Sequence, residues 1–215
     1  YFETSVVPAT TERIERPSPT EGVAMHATWS ESLAFDETKH DGGGQLDLTG
    51  RVRVRSEPNA SENGRLDADR LRLDFEASEN EEARTLTKLT ADGDALMESR
   101  AWATAAHEGE PRLFRITGGH VEYEPATKEA TVEGAGSLLV HDPKRVNEPK
   151  RPSMLFGGEG TSRFKWTSRM SMRRTVADRS LIVMEKDVEV LHAGIEDGDT
   201  FSLTGDRMEI TLARE

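Results

Sequence analysis

The sequence predicts an all-β protein built from repeated antiparallel hairpins. Three observations carry this: apolar residues recur with period two, the alternating segments repeat along the chain, and turn residues separate them. Leu46, Leu48, Val52 and Val54 share one parity, with Arg51, Arg53 and Arg55 on the other. Phe164, Trp166, Met170 and Met172 alternate with Lys165, Thr167, Arg169 and Ser171 in the same way. A strand with one dry face and one wet face reads like this. Parallel sheets covered by helices show continuous apolar runs instead. The segment 95–107 alone admits a helical reading, and its flanks read as strand.

The repeated unit is an apolar pair, a few polar or small residues, and a second apolar pair. It occurs as Ala27/Trp29 then Leu33/Phe35, and as Leu66/Ala68 then Leu71/Leu73. It recurs as Phe114/Ile116 then Val121/Tyr123, as Phe164/Trp166 then Met170/Met172, and as Phe201/Leu203 then Met208/Ile210. Strands with small or polar centres lie between, at 46–54, 89–97, 130–140 and 181–190. From Ile116 to Val121 and from Leu203 to Met208 the step is odd. An odd step turns later side chains to the other face unless a bulge absorbs one residue. Gly118-Gly119 and Gly205-Asp206 stand at those steps, where a bulge or bend is expected. Strands that bend there favour a jelly-roll-like double sheet over a flat solenoid.

Turns are expected at Asp41–Gly44 and Pro125–Lys128, and longer loops at about 56–64, 99–111, 141–162 and 192–199. Residues 1–22, with Pro8, Pro17 and Pro19, read as a tether or linker. Residues 23–215 read as a single domain with a long loop at 141–162. A tethering segment would lie upstream of Tyr1.

The net charge of −12 argues against nucleic acid and anionic surfaces as partners. With no cysteine there is no disulfide, thiolate site or Cys nucleophile. No apolar run is long enough for a membrane helix. No hydrolase, zinc-protease or phosphate-loop motif is present. Six histidines (His26, His40, His107, His120, His141 and His192) include no pair at metal-ligand spacing, although His141 and His192 each follow a strand end. No catalytic residue, metal or cofactor is assigned, and the chain does not read as an enzyme. Asp67 and Asp69 read as solvated strand residues. Lys144, Arg145, Lys150 and Arg151 form a basic cluster suited to phosphorylated head groups or an acidic partner, or simply a solvated loop.

Leu48-Thr49-Gly50-Arg51-Val52-Arg53-Val54, followed by Leu66-Asp67-Ala68-Asp69-Arg70-Leu71-Arg72-Leu73, resembles the OstA-like repeat. That family includes the LptA and LptC proteins of lipopolysaccharide transport. Gly205-Asp206-Arg207-Met208-Glu209-Ile210 echoes the second strand. Glu185-Lys186-Asp187-Val188-Glu189-Val190 echoes the first, with Lys186 in the glycine position. Glu133-Gly134-Ala135-Gly136 and Asp92-Gly93-Asp94-Ala95 are weaker copies. The likeness spans residues 27 to 213. It implies a V-shaped β-jelly roll that shelters the acyl chains of lipopolysaccharide in the bacterial periplasm, with edge strands that pair with other OstA-like domains. The lipid-facing residues would be Trp29, Phe35, Phe114, Phe164, Trp166, Met170, Met172, Phe201 and Met208. The same residues would otherwise fill the closed core of a structural cell-envelope domain. A carbohydrate-active jelly roll would instead need a polar groove with facing carboxylates.

Overall fold

The computed structural model describes residues 24–37, 43–77, 84–143, 159–175, 179–195 and 200–213. Within them every regular element is a β-strand, and all belong to one antiparallel sheet. The strands are β1 (Ala24–Thr28), β2 (Ser32–Asp36), β3 (Gly44–Asn59), β4 (Glu62–Ala77), β5 (Arg84–Ala101), β6 (Arg112–Glu124), β7 (Glu129–Asp142), β8 (Gly160–Trp166), β9 (Arg169–Thr175), β10 (Arg179–Gly194) and β11 (Thr200–Ala213). β1 and β2 pair with separate parts of β3, and β8 and β9 with separate parts of both β7 and β10. Each of these pairs therefore fills one lane. Eleven strands less two shared lanes leave nine lanes, and the chain meanders through them in order.

Every lane is interrupted at the same level. Four strands carry a two-residue bulge there, one residue more than the strand they face. They are Gly50–Arg51 on β3, Gly93–Asp94 on β5, Gly134–Ala135 on β7 and Lys186–Asp187 on β10. Single residues face them from the strands between: Asp69 faces the β3 bulge, Gly119 those of β5 and β7, and Asp206 that of β10. The first residue of each bulge has positive φ, at 80°, 76°, 83° and 68°. Glycine occupies three of these four positions because it adopts that region without a Cβ clash. Lys186 takes the fourth in the strained form, at a cost on the order of 1 kcal/mol. The bulges expected at Gly118-Gly119 and Gly205-Asp206 thus lie on the facing strands, and those residues are their partners.

The bulge line decides where the core sits. On β4 the buried residues are Leu66 and Ala68, then Leu71, an odd step away. β6 changes parity in the same way between Ile116 and Val121. On the bulged strands the extra residue absorbs the step, so Val132 and Leu138 keep their parity. The buried side chains therefore move to the other face of the pleat at this line. Both sets still belong to one hydrophobic cluster. Bulges increase the local twist of a sheet.

Local turns differ from expectation in one place. The loop expected at 56–64 is strand on both sides of a two-residue turn, Ala60–Ser61, where Asn59 Oδ1 accepts from Ser61 N at 2.9 Å and Ser61 Oγ at 3.0 Å. This side chain supplies the local bonds that a longer loop would need. Pro125–Lys128 forms the turn expected of it. The segment 95–107 is strand as far as Ala101 and irregular beyond. The tether at 1–22, most of the 141–162 loop with its basic cluster, and the first half of the Asp41–Gly44 turn lie outside the described residues.

Candidate functional site: an apolar interior

Two rows of side chains run across all nine lanes, one on each side of the bulge line. Leu33, Leu48, Leu71, Ala91, Val121, Val132, Met170, Met184 and Met208 are successive cross-strand partners. Beyond the bulges the row is Ala27, Val54, Leu66, Met97, Ile116, Leu138, Phe164, Val190 and Leu203. Antiparallel register places direct partners within contact of one another, so each row is an unbroken apolar stripe. Central members are almost dry: Val121, Val132, Met184 and Val190 are 0% exposed. The stripe reaches water at the edge lanes, where Leu203 on β11 is 43% exposed. At the opposite edge Met25, in the next row of the same interior face, is 53% exposed.

The nine large residues singled out from the sequence fall along this interior. Phe164, Trp166 and Met170 are buried. Trp29, Phe114, Met172 and Met208 are partly buried against the core. Phe35 is half-buried, with the Arg84 guanidinium 4.9 Å from its ring centre. Phe201 is half-buried and stacks on His192 at 5.1 Å. Trp166 stands at the bulge line, where Gly136 is its direct partner and leaves room for the indole. Its Nε1 donates to the Gly134 carbonyl at 3.0 Å.

One polar pair enters the interior that sequence reasoning did not assign there. Ser162 Oγ and His192 Nδ1 are hydrogen-bonded at 2.8 Å, and both residues are buried. The only sequence signal is their even spacing from Phe164 and Val190. Among the described residues no carboxylate bonds to this imidazole. His141 faces the other way, toward Thr161 Oγ1 at 2.9 Å and Glu110 at 3.4 Å, and does not join His192. Among the described residues no cluster of metal-ligating side chains occurs.

The wet face beside the bulges carries a ladder of alternating charge. Arg70, Asp92, His120, Glu133, Arg169, Glu185 and Arg207 are successive cross-strand partners. His120 Nδ1 lies 2.5 Å from Asp92, and its Nε2 3.5 Å from Glu122. The bond to Asp92 raises the His120 pKa above the ordinary value, although partial burial opposes it. Lys88, 2.7 Å from Glu122, holds that carboxyl below its usual range. In the other half, burial pushes Glu98 up, but hydrogen bonds from Arg115 and Arg100 outweigh it and hold the group low.

These directions fix a pH dependence. A raised histidine contributes stability that is complete below its unfolded pKa, near 6.5, and is lost as pH rises through the higher folded value. Glu98 and Glu122 contribute above their unfolded value and lose it as pH falls. His120→Gln should therefore remove a loss of stability that the wild type shows as pH rises above about 6.5. His120 is one-third exposed, so the difference should be below about 1 kcal/mol. Urea midpoints measured across that range check this; identical slopes for the two chains would refute it.

No family model, curated protein or solved structure matches this chain. Fold and interior together define the class: an all-β antiparallel meander with a transverse line of bulges and an apolar interior.

Proposed function

We propose that this chain is a non-catalytic glycolipid-carrying domain, similar to the OstA-like components of lipopolysaccharide transport in the bacterial periplasm. The two half-sheets on either side of the bulge line would form the arms of a V-shaped jelly roll, with acyl chains lying between them. One observation carries this reading: the apolar stripes cross the whole sheet and one of them reaches water at Leu203 on β11, while Met25 is exposed one row away from the stripe at the opposite edge. A closed core would have no need of apolar residues at its rim. Sheltering an acyl chain contributes about 0.8 kcal/mol per methylene, enough for tight binding without a catalytic group. The outer edges of the β1/β2 lane and of β11 would add strands of other OstA-like domains.

A specific observation favours a second reading, a structural envelope module. Phe164, Trp166 and Met170 are at most 3% exposed, as in a core packed on itself.

Native mass spectrometry with purified lipopolysaccharide separates the two, using the wild type and Leu203→Asp. Leu203 is exposed, so its substitution leaves the fold intact. The carrier reading expects a wild-type complex that Leu203→Asp weakens at least about tenfold, with unchanged circular dichroism. No complex with a folded wild type would leave the structural module.

A further inference from the structure

The chain carries 40 carboxylates against 28 Lys and Arg, yet one patch of its wet face is rich in arginine. Beyond the bulge line, on the side opposite the apolar stripe, the partners in one row are His26, Arg55, Arg65, Glu98 and Arg115. Arg55 and Arg65 are directly opposed across β3 and β4. Their Cβ atoms are therefore about 5 Å apart. His26 flanks Arg55 from β1.

Like charges placed directly opposite are destabilising. The rest of the sheet avoids them: Lys165 faces Glu189, Arg169 faces Glu133 and Glu185, and Arg207 faces Glu185. The other like pair, Glu124 and Glu129, flanks the Pro125–Lys128 turn at the sheet margin. Nearby carboxylates answer Arg65 but not Arg55. Asp67 binds Arg65, and Glu98 is held by Arg100 at 2.7 Å and Arg115 at 2.5 Å. Glu57, exposed two residues beyond Arg55, makes no bond to it. Arg53 and Arg55 are exposed and have no ion-pair partner among the described residues. Arg55 is thus left without a carboxylate partner among the described residues, directly opposite a second guanidinium, in a chain with a large excess of carboxylate. A local rule broken without internal compensation marks a site whose complement comes from outside.

We propose that Arg55, Arg65 and His26 form a binding site for a phosphate-class dianion. Two opposed guanidinium groups can each present a planar pair of N–H donors to one tetrahedral anion, whose oxygens satisfy both forks and cancel their repulsion. A compact dianion fits this spacing better than a single carboxylate, which neutralises only one of the two. The site lies on the face opposite the apolar interior and does not depend on the carrier reading.

The test uses Arg55→Gln, with Arg163→Gln as a control because Arg163 is exposed on β8, five lanes from Arg55. The probes are inorganic phosphate, and phosphatidylcholine vesicles with and without phosphatidic acid. In phosphate-free buffer Arg55→Gln should melt at or above the wild-type temperature, since it relieves the opposed pair. It should also lose the saturable part of the phosphate-induced rise in Tm and bind at least about tenfold more weakly. Arg163→Gln should respond like the wild type. The non-specific stabilisation by excluded phosphate is common to all three chains. Retention of the wild type, but not Arg55→Gln, on phosphatidic acid vesicles with no response to free phosphate would also support the site and assign its anion to a lipid head group. The proposal is overturned if Arg55→Gln melts lower than the wild type without phosphate. It is equally overturned if both chains respond alike to both probes, or if neither probe binds.

Discussion

Trp166→Ala is expected to destabilise the fold by about 3–5 kcal/mol, a large share of the roughly 5–15 kcal/mol that holds a domain of this size. Trp166 is 2% exposed and is the largest fully buried side chain. It sits beside the bulge line, opposite Gly136 on β7. Its removal takes away a large apolar area and leaves a cavity that rigid neighbouring strands close poorly. The hydrogen bond from Nε1 to the Gly134 carbonyl is lost as well. That carbonyl belongs to the β7 bulge, whose Gly134 N also donates to the Ser168 carbonyl at 2.6 Å. The bulge is thus fastened twice to the β8/β9 lane, and the indole is one of its fasteners. Trp166→Phe keeps most of the area and should cost less, with loss of the bond contributing about 1 kcal/mol. Equilibrium urea unfolding of the three chains measures the series. A loss below about 1 kcal/mol for the alanine variant would mean that the bulge line is not a packed part of the core.

Much of this architecture is legible in the sequence, for a definite reason. A side-chain period of two is imposed by the pleat, so Leu46, Leu48, Val52 and Val54 announce both a strand and its dry face. The odd steps at Ile116–Val121 and Leu203–Met208 announce that something absorbs a residue at mid-strand. Which strand absorbs it is set by pairing. The extra residue lies on β7 and β10, opposite the glycines that drew attention. The four segments matched to the first strand of the OstA-like repeat are, physically, the four bulges at Gly50, Gly93, Gly134 and Lys186. The glycine of that pattern is a positive-φ requirement, and for that reason Lys186 can replace it at a modest cost.

Other features depend on register, which one strand's pattern does not contain. The direct opposition of Arg55 and Arg65 follows from the nine residues between them folding about the tight Ala60–Ser61 turn, where a longer loop was expected. A different loop would have shifted the pairing and separated the two arginines. The inward turn of His192 and the outward turn of His141 likewise follow from which face each strand presents after its bulge. The large apolar residues proposed to face lipid were readable as interior residues. Packing one against another and packing against a ligand produce the same alternation, so the pattern alone does not separate those roles.

Gly136→Ala should be nearly as damaging as loss of the tryptophan, although it adds a single methyl group. A Cβ at Gly136 would lie 2.5 Å from Trp166 Cζ2 and 2.6 Å from the carbonyl oxygen of Thr117. Gly136 is paired on both sides, with Gly118 on β6 and Trp166 on β8, so the backbone has little room to retreat. Overpacking of this kind costs about 1–3 kcal/mol and more where backbone blocks the new atom. The two obstacles can be separated by a double-mutant cycle. In a Trp166→Ala background the ring clash is gone and the methyl occupies part of the cavity, so Gly136→Ala should cost at least about 1 kcal/mol less than in the wild type. The cost that persists measures the clash with the Thr117 carbonyl, which no side-chain change relieves. Additive effects would show that the indole does not rest on Gly136, and the account of the bulge line as a glycine seat for Trp166 would then fail.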